Sequence, residues 1–156
     1  MLSRRAFTNL GARVYGLGAI ALGLVGLAWG DFATNWQPIQ ALPFDVPHRA
    51  ALAYVAAAGL LSAGVAIQWR RSARAGLLVL ALLYFIFALF WLPRVIGFPQ
   101  LFGTWAGFLE EFALVAAAVV VYASVLPHDS ARSVRTARFG RLAFGVCVIS
   151  FGLSHF

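Results

Sequence analysis

A polytopic bundle of membrane-spanning α-helices is the fold class this sequence predicts, and three observations carry it. Apolar residues make up 62% of the chain and charged residues only 11%, where a soluble domain carries roughly 25% charged. The apolar residues fall into long uncharged runs, most of them long enough to cross a hydrocarbon core. Ten of the twelve basic residues, all arginine, lie in three clusters between those runs. The clusters are Arg4, Arg5 and Arg13; Arg70, Arg71 and Arg74; and Arg132, Arg135, Arg138 and Arg141. Cytoplasmic loops collect basic residues, so the N-terminus and the connections around Arg71 and Arg135 are expected in the cytoplasm.

The first span runs from Val14 to Gly30, 17 residues without a charge, at the short end of what crosses a bilayer. Ser3-Arg4-Arg5-Ala6-Phe7 ahead of it resembles a twin-arginine export signal, and Ala28-Trp29-Gly30 offers small residues for a peptidase. More membrane spans follow, which favours an uncleaved helix with positive-inside flanks. The second span is Ala50 to Trp69 and the third Ala75 to Leu92, closed by Pro93. The fourth, Thr104 to Leu126, is interrupted near its start by Glu110 and Glu111 and closed by Pro127. These four form one expected unit, residues 1–127. The polar stretch 128–138 reads as a cytoplasmic linker, and a fifth span runs from Phe139 to Phe156. Pro38, Pro43, Pro47, Pro93 and Pro99 mark the opposite connections, where backbone can reach water or headgroups.

Gly16, Ala19, Gly23, Gly26 and Gly30 recur at alternating spacings of three and four, which places them on one stripe of a helix. Such a stripe lets a second backbone approach closely, and in lipid that packing drives association. The first helix is therefore expected to be central to the bundle. The fifth span echoes it with a leading arginine, Gly145 and Gly152, and terminal aromatics. It is expected to open a second copy of the four-helix unit, incomplete at Phe156.

Arg141-Leu142-Ala143-Phe144-Gly145, followed by Phe151-Gly152-Leu153-Ser154-His155-Phe156, resembles the opening helix of the DoxX-like membrane proteins. That helix starts with Arg and a spaced Gly and ends on Gly and a His-aromatic pair. The first span departs from the pattern, with Trp29-Gly30-Asp31-Phe32 where the pair would fall. The resemblance covers the chain in architecture and about sixteen residues in motif. It implies an accessory protein of the bacterial inner membrane, a non-catalytic subunit serving quinone-linked or sulfur redox chemistry beside other membrane redox subunits. It implies no catalytic residue.

Under the positive-inside topology, chemistry gathers at the outer end: Asp31, Asp45, His48, Arg49, Arg94, Glu110, Glu111 and His155, with Asp129 alone inside. Trp29, Phe32, Trp36, Phe44, Trp91, Phe98, Phe102 and Trp105 share that level. They read as an interfacial belt or as the wall of a pocket for a quinone or other lipophilic ligand. Such a pocket needs a polar anchor, and Glu110 or Glu111 supplies one. Counting back along the fourth helix puts them about one turn inside the hydrocarbon boundary, where a lipid-facing carboxylate is costly. Adjacent helical positions point about 100° apart, so one can face the bundle while the other reaches the headgroups; the alternative is that both snorkel outward. Arg94 is the expected countercharge.

Cys147 is the only cysteine and sits in an apolar run, which excludes disulfide relays and cysteine metal clusters within one chain. The three histidines have no ligand spacing, so neither metal nor haem is expected. The net charge of +7 lies at the ends of apolar spans, so it reads as topology and anionic-headgroup contact and not as a nucleic-acid surface. Two functions remain: a redox-associated accessory subunit with an outer quinone pocket, and a small proton-coupled transporter or channel unit, active as a dimer, using Glu110 or Glu111.

Overall fold

The computed structural model describes residues 4–32, 47–126 and 131–153. Those residues form five helices and no strand: α1 (Arg4–Trp29), α2 (Arg49–Ile67), α3 (Ala73–Gly97), α4 (Phe102–Ser124) and α5 (Ala131–Leu153). All five contain a stretch long and apolar enough to cross a membrane, so the chain is a multi-pass membrane protein. Helix is the form that satisfies every backbone group within its own segment when no water is present.

Neighbouring helices run antiparallel, and glycine sets how closely they meet. A methyl group added at Gly23 would lie 2.7 Å from the Leu61 nitrogen, and one at Gly26 would lie 2.9 Å from the Ala57 Cβ. Gly16 faces Gly64 of α2, where an added methyl would lie 2.6 Å from the Gly16 oxygen. Ala19, between them, is 1% exposed. The stripe therefore seats α1 directly on α2. Gly30 (φ 65°) ends the helix in a left-handed turn beneath the Tyr54 hydroxyl. Gly76 seats α3 on Ala63 and Ile67 of α2, and Gly140 seats α5 on Val119 and Val120 of α4. Leu60, Leu77 and Leu80 fill the interior between α2 and α3.

Three sequence expectations change. The first helix is not central: α1 packs along α2 and touches α4 lightly, whereas α4 is flanked by α3 and α5 and also meets α1. A small-residue stripe specifies one intimate partner, which does not place a helix in the middle. Next, α3 does not stop at Leu92 but continues through Pro93 to Gly97; proline removes one hydrogen bond near a helix end without ending the helix. Finally, the stretch read as a linker is helical from Ala131 onward. Ser133 donates from Oγ to the Ala123 oxygen at 2.9 Å, and with Gly140 and Cys147 it forms the face of α5 that lies on α4. Gly145 and Gly152, which echo the stripe of α1 in sequence, meet nothing within 4 Å.

The arginine clusters share one end of the bundle. Gln68 donates to the Arg13 oxygen at 3.3 Å, tying α2 to α1, and Arg74 donates from Nη2 to the Val125 oxygen at 3.3 Å, tying α3 to α4. The opposite end carries the α3–α4 turn. There Thr104 donates to the Leu101 oxygen at 2.7 Å and the Trp105 indole to the Pro99 oxygen at 2.9 Å.

Candidate functional site

Helical periodicity puts Gly107, Glu111, Leu114 and Ala118 on one face of α4, and Tyr84, Phe87, Ala88 and Trp91 on one face of α3. The two faces meet. Gly107 has no side chain, so the indole of Trp91 settles on it: an added methyl would come within 2.7 Å of Cε2, on the edge that carries Nε1. Glu111 lies one turn further into α4 and is 4% exposed. Tyr84, two turns below Trp91 on α3, is also buried, 4% exposed.

Around these groups the interior is aromatic. Tyr15 of α1 donates its hydroxyl to the Leu114 oxygen at 2.8 Å and meets the Tyr84 ring edge-on at 6.4 Å. Tyr84 meets Phe87 at 6.4 Å, and Phe87 meets Phe32 at 6.5 Å. Phe32 is 2% exposed because the turn at Gly30 directs the chain back toward the core.

Two polar groups in this seam have no partner among the described residues. Glu111 forms no ion pair or hydrogen bond among the described residues. The Trp91 Nε1 donor is fully enclosed and unpaired. Buried polar groups are nearly always hydrogen-bonded, and leaving one unmade costs about 1–3 kcal/mol. An unpaired donor and an unpaired carboxyl one turn apart, walled by aromatic rings, suit a lipophilic molecule with a polar head.

The remaining sequence candidates are placed as follows. Glu110 is half-buried, turned away from the direction of Glu111 by the helical rotation. Arg94 pairs with neither carboxylate, contrary to the sequence expectation; its guanidinium lies 5.9 Å over the ring of Trp91. The physical reason is register. Trp91 sits level with Gly107, Arg94 rises three residues above that level and Glu111 sinks four below it, a separation of roughly 10 Å along the axis. Trp105 braces the α3–α4 turn at the Pro99 oxygen and does not join Glu111.

Asp31 finds a different partner. Arg49 donates from Nε to Oδ1 at 2.9 Å and from Nη2 to Oδ2 at 3.0 Å, and the Phe32 amide donates to Oδ1 at 2.8 Å. The Arg49 hydrogen bonds hold the Asp31 carboxyl below its ordinary value of 3.8. This clasp closes the end of α1 onto the start of α2. His48 is exposed, with φ 58°, just before α2. His155 and Asp45 lie outside the described residues, and among the described residues no three His, Cys, Asp or Glu side chains gather to hold a metal ion.

Sequence reasoning missed Tyr84, Tyr15 and the orphaned nitrogen of Trp91. A hydroxyl in the middle of the uncharged run of α3 was the available signal for Tyr84. For Trp91 the signal was Gly107, a residue small enough to admit an indole. No protein-family model, curated protein or solved structure matches the chain.

Proposed function

We propose that this membrane protein holds a lipophilic ligand with a polar head, of the quinone class, in the seam between α3 and α4, and that it serves a membrane redox system as a non-catalytic accessory subunit. Glu111, 4% exposed and without an ion pair or hydrogen bond among the described residues, is the observation that carries this reading. A carboxyl accepts hydrogen bonds when ionised and donates one when protonated, so it suits a ring oxygen in either redox state. The residues present fit such a group. Glu111 and the Trp91 nitrogen would hold the polar ring, and Tyr84, Phe87 and Phe32 supply an apolar wall. A quinone, when bound, supplies reversible two-electron, two-proton carriage.

The DoxX-like pattern around Arg141 and Gly152 supports the accessory role and a bacterial inner membrane as its location. The arginine clusters, which share one end of the bundle, support a cytoplasmic N-terminus. Under that orientation Glu111 lies in the outer half of the membrane.

Titration of the purified protein in micelles with a short-chain benzoquinone, followed by tryptophan fluorescence, tests the assignment. Replacing Glu111 by Gln should weaken binding about tenfold or more, the value of a hydrogen bond to a charged group. Equal affinity in the wild type and Glu111→Gln would overturn it.

A further inference from the structure

The arginines of α5 lie deeper than a loop cluster should. Ser133 is held level with Ala123, near the end of α4, and Gly140 rests on Val119 and Val120. Those valines precede the last helical residue, Ser124, by four or five positions, which is roughly 6–8 Å of helix. Arg138 and Arg141 flank Gly140, so their backbone lies inside the apolar stretch of α4 and not beyond it. Both side chains are exposed. Phe139 and Leu142 are exposed beside them, and Arg135 is exposed one turn before Arg138.

No acidic side chain pairs with Arg138 or Arg141 among the described residues. A guanidinium cannot lose its charge, and one facing hydrocarbon with no partner is costly. The side chain is long enough to lie along the helix and reach up toward the headgroup layer, where a phosphate accepts two parallel N–H donors. Arg70, Arg71 and Arg74 occupy the same end of the bundle and are also exposed, which adds positive field without adding a counter-ion.

We infer that Arg138 and Arg141 form a docking site for the phosphate of an anionic phospholipid, which seats its headgroup against α5 above the Gly140 contact. The site is independent of Glu111, because it lies at the other end of the bundle on a helix that meets the core through α4. Its effect is to complete α5: the lipid supplies the countercharge that lets this half-polar helix lie flat on α4 at membrane depth.

Native mass spectrometry of the full chain released from mixed micelles tests this, with phosphatidylglycerol and phosphatidylcholine of identical acyl chains as probes. The wild type should retain phosphatidylglycerol preferentially. Arg138→Gln with Arg141→Gln should reduce that retention by about fivefold per arginine, roughly 25-fold together, while Arg70→Gln with Arg71→Gln changes it little. Arg138→Lys with Arg141→Lys should keep most of the preference, and it serves if the glutamine pair fails to fold. Equal retention of the two lipids by the wild type, or undiminished phosphatidylglycerol in the folded glutamine pair, would overturn the inference. So would a self-association that depends on these arginines and is indifferent to lipid.

Discussion

Gly23→Ala isolates the contact that holds α1 to α2. The added methyl would stand 2.7 Å from the Leu61 nitrogen, 2.8 Å from the Ala57 oxygen and 2.9 Å from the Leu61 Cβ, where ordinary contact begins at 3.4 Å. Two of those atoms are backbone, so no rotamer change relieves them and the helices must move apart by about half an ångström or more. Separation then loosens the neighbouring contacts at Gly16 and Gly26. Overpacking of this kind costs about 1–3 kcal/mol. Gly18→Ala is the matched control, because a methyl there meets nothing within 4 Å. Both variants gain the same helix propensity, roughly 0.5–1 kcal/mol, so their difference reports the clash alone. Unfolding in mixed detergent micelles, followed by helical circular dichroism, should place Gly23→Ala about 1–3 kcal/mol below Gly18→Ala. Identical stabilities would refute the close α1–α2 seam.

Four further outcomes are expected. Arg94→Ala and Glu111→Gln should be additive within about 0.5 kcal/mol in thermal unfolding, since register keeps the two groups apart; strong coupling would restore the ion pair. Trp91→Phe removes an unpaired buried donor but also the ring that rests on Gly107, and the two effects offset, so the ligand-free protein should lose less than about 2 kcal/mol; a larger loss would show that the nitrogen has a protein partner. Because the Asp31 carboxyl lies below its ordinary 3.8, the clasp with Arg49 contributes fully above that value and is lost as the pH falls through the lower folded value. For a half-exposed pair this amounts to about 1 kcal/mol at most, and Asp31→Asn should remove that part of the acid dependence. In a Cys147→Ala background, an impermeant thiol reagent applied to intact cells should label Gln100→Cys and not Arg71→Cys; the reverse would invert the proposed topology.

Much of the architecture was legible because the bilayer punishes exceptions. Uncharged runs and clustered arginines located the helices, and the spacing of Gly16, Gly23 and Gly26 identified the buried side of α1. Which helix receives that side was not legible, since Gly64 and Ala57 lie in an alanine-rich run that marks no preferred face. The start of α5 was hidden for a different reason. Hydropathy registers Arg132, Arg135 and Arg138 as a polar segment, whereas Ser133, Gly140 and Cys147, seven apart, supply a small face against α4. At the site, sequence reasoning located a pair of carboxylates and a wall of aromatics but not which carboxylate turns inward. That depends on the rotation of α4, which Gly107 fixes by accepting Trp91. The pairing of Asp31 with Arg49 depends on the turn at Gly30, and a left-handed residue leaves little trace beyond the glycine itself.

The most direct test of the central claim is the small-molecule content of the protein purified from its own membrane in mild detergent, measured by mass spectrometry on the wild type, Glu111→Gln and Glu110→Gln. The wild type and Glu110→Gln should carry a lipophilic quinone-class molecule that Glu111→Gln has lost. The same content in all three would contradict an anchoring role for Glu111.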